Sequence, residues 1–439
     1  MVGSKIVHIF ALSKFKINDH LNIKITETKE FDVIGLNSSF TRVFAIGLVF
    51  LACIGLTATA QVRRSWSGEL AVMGQKLPIV LNMVDGQCTL DSPLQGATGI
   101  PATVQLLTKD SIKISVESIG ASYAARYVAG QLQGTFTQRG ISLPLNMKET
   151  SATGPHRPQT PKGPFPYTTE EVTFTNTKAG ATLAGTLTIP KGGAKTVLIM
   201  VTGSGPENRD EEVAGHKPFA VIADRLARAG IATLRYDDRG VGNSVGGETK
   251  HTTSEDVAED ATAGIEWLRA QKRFKKVGLL GHSEGGLIAF MLAAQKQVDF
   301  IVSLAGPAVK GDSIMLYQSR TSGNPFTKNI TMEQLRSMVK TNAWVTYFMD
   351  YDPTENIANT KCPVLALNGS KDCQVPAAMN MPVLRRLLPR NKHHLLKEYA
   401  GLNHLFQHCE TGRPDEYYKI EETISEEVLS DIVGWIKRL

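Results

Sequence analysis

The stretch Val277–Leu287, "VGLLGHSEGGL", decides how the rest of the chain is read. An apolar run, a Gly-His-Ser-Glu-Gly pentapeptide and a second apolar stretch describe a strand turning sharply into a helix, with Ser283 at the turn. The pentapeptide alone is weak, because such a pattern arises by chance. A hydroxyl is a poor nucleophile at neutral pH, so Ser283 needs a base, an orienting carboxylate and donors for an oxyanion.

From residue 168 to residue 439 apolar strands alternate with helices. "EEVTFTNTKAGATLAGTLTIP" reads as a hairpin and "KTVLIMVTGSG" as a buried strand entering a glycine turn. "HKPFAVIADRLARAG" carries Phe219, Ile222, Leu226 and Ala227 on one helical face, and "SEDVAEDATAGIEWLRAQ" is an amphipathic helix expected to be capped by Ser254. Uniformly apolar strands separated by helices predict a mostly parallel sheet covered by helices on both faces. Ligands on such sheets sit at the carboxyl ends of the strands.

The partners of Ser283 fall at those ends. Asp372, in "NGSKDCQVP", follows the strand "VLALN"; His404, in "GLNHLFQ", follows the strand Leu395–Tyr399 and precedes the last helix. His408 is the rival base, whereas His393 and His394 precede their strand and read as surface residues. The order Ser283, Asp372, His404, with separations of 89 and 32 residues, is that of an α/β-hydrolase triad. For the oxyanion, the backbone NH of Glu284 at the helix start and that of Ser204 in "VTGSGPENRD" are the expected donors, with Gly203 and Gly205 giving clearance. "GSGPEN" and "GVGNSV" both lack the third glycine of a phosphate or dinucleotide loop, and no histidine pair has metal-ligand spacing. No cofactor and no metal are expected.

Two segments bear on specificity. Glu207–Glu212, "ENRDEE", either holds the cationic end of a substrate or forms a solvated face. Residues 307–357 form an aromatic-rich helical insertion holding Tyr317, Trp344, Tyr347, Phe348 and Tyr351, read as a lid over an acyl group or as a cap packed for stability.

Ahead of this lies a different grammar. Residues 61–150 hold short alternating runs separated by Gly, Asp and Asn turns, which predicts a small all-β domain. Residues 151–167, "SATGPHRPQTPKGPFPY", contain five prolines and read as a stiff linker. In residues 1–60, Arg42 precedes "VFAIGLVFLACIGLTATA", a leader ending in Ala58-Thr59-Ala60; cleavage after Ala60 and export to the periplasm or beyond is the leading reading. An uncleaved anchor stopped by Arg63 and Arg64 is the alternative, as is a buried helix, and a lipoprotein attachment through Cys53 is weaker. Residues 1–40 read as an unusually long leader or as the product of a start placed too far upstream. Of the four cysteines beyond it, Cys373 and Cys409 are the pair to test for a bridge, with free thiols as the alternative.

With 439 residues, 42% hydrophobic, 21% charged and a formal net charge of +6, the chain has an ordinary globular composition. Its cations are interspersed among 42 acidic residues rather than gathered in a stripe, which argues against a nucleic-acid partner. A small-molecule ester is the expected partner; a membrane enters only through the N-terminal segment.

The motifs "DSPLQGATGIP", "RPQTPKGPFPYTTEEVTF", "VTGSGPENRDEE", "LRYDDRGVGNS", "GHSEGGLIA", "NGSKDCQVP" and "GLNHLFQ" together resemble two-domain bacterial α/β-hydrolases of the EstD esterase type. Such proteins are similar to serine aminopeptidase-like and dienelactone hydrolase-like members of the superfamily. The resemblance implies hydrolysis of short-chain carboxylic esters through Ser283, Asp372 and His404. The fold also hosts peptidases, thioesterases and lyases, so an aminopeptidase, or a surface binding protein on an inactive hydrolase fold, is carried beside it.

Overall fold

A computed structural model describes residues 63–72, 75–84, 87–92, 97–150, 156–322 and 327–439. The leader, with Arg42, Cys53 and the junction at Ala60, and the first five residues of the linker lie outside them. Among the described residues, no helix is long and apolar enough to cross a membrane. The chain forms two compact units, the second of which contains Thr153–Leu439.

The early alternating runs form strands β1 (Arg63–Val72), β2 (Gln75–Val84), β3 (Gln87–Ser92), β4 (Ala97–Leu107), β5 (Ser111–Val116), β6 (Ala121–Val128), β7 (Gln131–Gln138) and β8 (Ile141–Thr150). They close into a barrel in sequence order. Period-two alternation puts Ile112, Ile114 and Val116 of β5, Tyr123 of β6 and Leu145 and Met147 of β8 into its core. Ala129-Gly130 and Arg139-Gly140 take left-handed φ at the β6–β7 and β7–β8 hairpins, a backbone twist that matches the twist of the strands they join. Arg64 on β1 donates to Glu149 on β8 at 2.8 Å across the closure.

In the second unit β9 (Tyr167–Asn176) and β10 (Ala181–Pro190) form the expected antiparallel hairpin. They are followed by β11 (Thr196–Val201), α1 (Pro218–Arg228), β12 (Ala232–Tyr236), β13 (Val245–Gly246), α2 (Ser254–Ala270), β14 (Lys276–His282), α3 (Glu284–Ala294) and β15 (Ile301–Leu304). Four helices come next: α4 (Gly311–Thr321), α5 (Met332–Val339), α6 (Ala343–Asp350) and α7 (Thr354–Asn359). The unit ends with β16 (Val364–Gly369), α8 (Ala377–Leu387), β17 (Leu395–Tyr399) and α9 (Glu426–Lys437). The sheet order is β13-β10-β12-β11-β14-β15-β16-β17 with β9 on β10, and β11, β12 and β14 to β17 are parallel. Both faces are covered. Val197, Ile199 and Val201 of β11 belong to one buried cluster with residues of α2, α3 and α8, and the intervening Leu198 and Met200 to another with residues of α1 and α9.

Two expectations need correction, and the two cysteine alternatives resolve to one. The cap of α2 is Thr253, not Ser254: Thr253 and Asp256 form a reciprocal capping box, which frees the Ser254 hydroxyl for another partner. Of the two alternatives for Cys373 and Cys409 the structure has the free thiols, each aimed at a nearby carbonyl, Gly412 and Gly401 respectively. His394 is half-buried rather than a surface group, and its Nδ1 accepts from Val364 NH at 3.1 Å. Within the Pro-rich segment, Gln159 bonds the backbone of Thr423 and Ile424, and Arg157 donates to the carbonyls of Ala214 and Ile420 at 2.7 and 2.8 Å.

One ion pair is sealed into this unit. The Arg239 guanidinium, just past β12, donates to Asp260 of α2 at 2.6 and 3.0 Å, and Asn176 of β9 donates to the same carboxylate. Both side chains are 4% exposed. Removing one partner strands a buried charge, which is far more damaging than losing an exposed pair. Asp260→Ala is therefore expected to lower stability by roughly 3–5 kcal/mol in urea unfolding of the full chain, whereas a loss below about 1 kcal/mol would contradict the pairing.

Candidate active site

The parallel strands deliver their carboxyl ends to one edge, and the loops there build the site. β14 ends at His282, Ser283 takes φ 53 and ψ −118, and α3 begins at Glu284. This turn fits only because its neighbours lack side chains. A Cβ on Gly281 would lie 2.0 Å from the Gly285 carbonyl oxygen, and one on Gly285 would lie 2.1 Å from that of Val201 on β11. The left-handed serine, strained for any residue with a Cβ, lifts its side chain toward a cavity of about 300 Å³ that is also lined by Ser204, Glu207, Glu211 and His404.

The structure brings Asp372 and His404 together. Nδ1 of His404 donates to Asp372 Oδ2 at 2.8 Å, and both residues are 4% exposed. The carboxylate is itself held. Oδ1 accepts the backbone NH groups of Gln374 and Val375, both at 2.8 Å, and Oδ2 accepts from Asn368 at 3.1 Å. Because Nδ1 carries the proton, Nε2 of His404 is left as the basic nitrogen. Ser283 and His404 face the same cavity, but no hydrogen bond joins them among the described residues; such contacts are commonly open without substrate and tighten in the reactive complex. The rival His408 is exposed and pairs with Glu422 at 2.9 Å.

The two expected oxyanion donors come from two loops at the strand ends. Glu284 starts α3, where helix NH groups have no intrahelical partner, and Ser204 follows β11 on the cavity wall. The Glu284 carboxylate turns away into a neighbouring cavity of about 230 Å³. There it accepts from Ser254 Oγ at 2.5 Å and from Trp344 Nε1 at 2.9 Å, so the hydroxyl released from capping finds its use here. Burial raises its pKa, and the donors oppose that shift. Helix α6 of the insertion is thereby tied to the nucleophile elbow. Trp344 and Phe348 line the main cavity with Ile314 and Met315, while Tyr317, Tyr347 and Tyr351 are not among its lining residues.

The acidic loop is not a solvated face. Arg209 Nη2 reaches Asp237 Oδ2 at 2.7 Å, Asp210 pairs with Arg235, and Glu211 is 3% exposed. Glu207 faces the cavity with one oxygen buried and unpartnered. Burial and the neighbouring Glu211, Asp238 and Glu284 raise its pKa well above the usual carboxylate value. Asp238, after β12, accepts from Thr202 and from the backbone NH of Glu207, and burial pushes its pKa to about 7. Asp238, His282 and the cap contact of Trp344 were not identified from sequence as parts of the site. The doubled acids of "LRYDDRG" beside "ENRDEE" were the available signal, since so many charges near a turn need partners.

This sheet order, with Ser283 after β14, Asp372 after β16 and His404 after β17, is the topology of the α/β-hydrolase fold, preceded in sequence by a strand barrel. The family model described as Hydrolase_4, serine aminopeptidase S33, matches residues 216–360. The chain is 31% identical over 271 residues to esterase EstD of Thermotoga maritima, a match that covers 58% of this chain and 65% of that protein. It is 29% identical over 159 residues to dipeptidyl peptidase 8 of Mus musculus, covering 34% of this chain and 18% of that one. Among solved structures, an esterase of Pyrococcus furiosus gives a TM-score of 0.44 at 18% identity, covering 65% of this chain and 98% of that one. A dienelactone hydrolase of Anabaena variabilis gives 0.39 at 20%, covering 62% and 98%.

The wall behind the His404 loop carries a buried neutral histidine. His216 Nε2 donates to the Tyr417 carbonyl at 2.9 Å and its Nδ1 accepts from Thr423 at 3.0 Å. Burial, and the nearby Arg157 cation, push its pKa from 6.5 down to about 4. The unfolded chain takes up this proton first, so between pH 6.5 and about 4 acid favours unfolding through this group. We expect the wild type to lose more thermal stability than His216→Gln between pH 7 and pH 4.5, by up to roughly 3 kcal/mol. Parallel losses in the two proteins would contradict this.

Proposed function

We propose that the protein is a serine hydrolase that cleaves carboxylic esters, short acyl chains among them, through an acyl-enzyme on Ser283. The observation that carries this reading is the buried His404–Asp372 pair opening on the cavity that holds Ser283 at a strained strand-to-helix turn. In the proposed reaction Ser283 Oγ attacks the ester carbonyl carbon while His404 Nε2 takes its proton. Asp372 keeps the imidazole in the productive tautomer and stabilises the imidazolium. The negative oxygen of the tetrahedral intermediate meets the backbone NH groups of Glu284 and Ser204, aided by the positive end of α3. On collapse His404 passes its proton to the departing alcohol. Water then attacks the acyl-enzyme with His404 as base, and the carboxylic acid leaves with Ser283 restored. The apolar wall of Ile314, Met315, Trp344 and Phe348 suits an acyl chain.

A second reading, hydrolysis of aminoacyl amides, is favoured by one feature. Glu207 lines the cavity, with one carboxylate oxygen buried and unpartnered, an acidic group on the wall where a substrate ammonium would lie. Export is proposed from the sequence of residues 43–60 alone.

One screen separates these readings. Esters graded by acyl length, from p-nitrophenyl acetate upward, are assayed beside aminoacyl p-nitroanilides, with Ser283→Ala as control. The ester reading expects turnover highest on short acyl esters and lower in Ser283→Ala by at least about 10³-fold with unchanged folding. Faster cleavage of the anilides would favour the aminopeptidase, and turnover retained by Ser283→Ala would refute both.

A further inference from the structure

Beside the His404–Asp372 pair stands a second carboxylate and histidine, buried as deeply. His282, the residue before Ser283, is 6% exposed, and its ring lies 4.7 Å from that of His404 between centroids. Its Nε2 donates to the backbone carbonyl of His404 at 2.9 Å, and its Nδ1 lies 2.9 Å from Glu211 Oε1. The same oxygen of Glu211 accepts the backbone NH of Gly203 at 2.9 Å. One carboxylate thus joins the oxyanion loop after β11 to the elbow after β14, and through His282 to the histidine loop after β17.

Proton bookkeeping defines the pair. A carbonyl only accepts, so Nε2 of His282 carries a proton, and a second proton must sit between Nδ1 and Glu211. The unit is therefore an imidazolium with a carboxylate, or its neutral equivalent. Glu207 and Asp238 lie close enough to Glu211 to act on it electrostatically, Asp372 lies beyond the tilted ring of His404, and burial opposes any unpaired charge. Two features disfavour a purely space-filling role. Glu211 takes φ 52, a left-handed conformation that a glutamate adopts only under constraint, and its second oxygen is buried without a partner. Both are tolerated while Oε1 makes two contacts that tie the site together.

We propose that Glu211 and His282 are positioning residues for the Ser283 reaction, holding the oxyanion loop and the backbone of His404 in register around the nucleophile; this rests on the serine-hydrolase reading above. The test uses the full chain with Glu211→Gln, which removes the charge at nearly constant shape, and His282→Phe, which keeps a ring but removes both hydrogen bonds. The readouts are kcat and KM on p-nitrophenyl butyrate, the rate of fluorophosphonate labelling, and Tm, with activity assayed well below Tm. Misaligned loops are expected to lower kcat and the labelling rate together, on the order of 10- to 100-fold, with KM within about two-fold of wild type. Wild-type kcat in either folded variant overturns the proposal, as does failure of both to fold, since the pair then serves the fold alone. Ser283→Ala distinguishes the two levels. If it is active the serine-hydrolase reading falls, and if it is inactive while Glu211→Gln retains full kcat only the positioning role falls.

Discussion

Everything at the strand ends depends on how closely β14 and α3 approach β11. Neither Gly281 nor Gly285 has room for even a methyl group against the facing carbonyls, so the chain must reverse within one residue. Ser283 absorbs that reversal at φ 53, a strain of order 1–3 kcal/mol that the surrounding packing over-determines. The helix is buried along nearly its whole length, from Glu284 to Ala293, and holds the turn in place. The geometry at Ser283 is thus a product of core packing rather than of the loop alone.

Around that turn the protein buries an unusual density of carboxyl groups. Asp372 is satisfied by two backbone NH groups and two side chains, and Glu284 by a serine and the cap tryptophan. Asp238 and Glu207 sit among like charges, and both are shifted toward their protonated forms. Buried acids without full compensation destabilise a fold, and they concentrate where function needs a polar, poorly solvated pocket. Here they also fasten separate loops to one another, since Glu284 reaches the insertion through Trp344 and Glu211 reaches Gly203 in the loop after β11.

The parallel sheet, the elbow and the placement of Asp372 and His404 were legible in the sequence because each depends on local pattern. A strand is read from its apolar run, and a strand-end loop from its place directly after that run. The features that escaped the sequence require pairing in space. Alternating runs gave β structure in residues 63–150, but closure of eight strands into a barrel depends on register between β1 and β8, which no local pattern carries. "ENRDEE" showed its charge but not its partners: Arg209 and Asp210 are tied to Asp237 and Arg235, far away in sequence, which takes the loop out of solvent. Ser254 looked like a cap because it begins the helix, yet Thr253 with Asp256 caps better, and Ser254 serves Glu284 instead.

The central claim is that Ser283 becomes covalently acylated and that His404 drives this step. The most direct measurement is peptide-resolved mass spectrometry of the full chain after reaction with a fluorophosphonate or a slowly deacylating p-nitrophenyl ester. One adduct per chain on the peptide bearing Ser283, formed far more slowly in His404→Ala, is the expected result. An adduct elsewhere, or labelling of Ser283 that is indifferent to His404, would contradict the account.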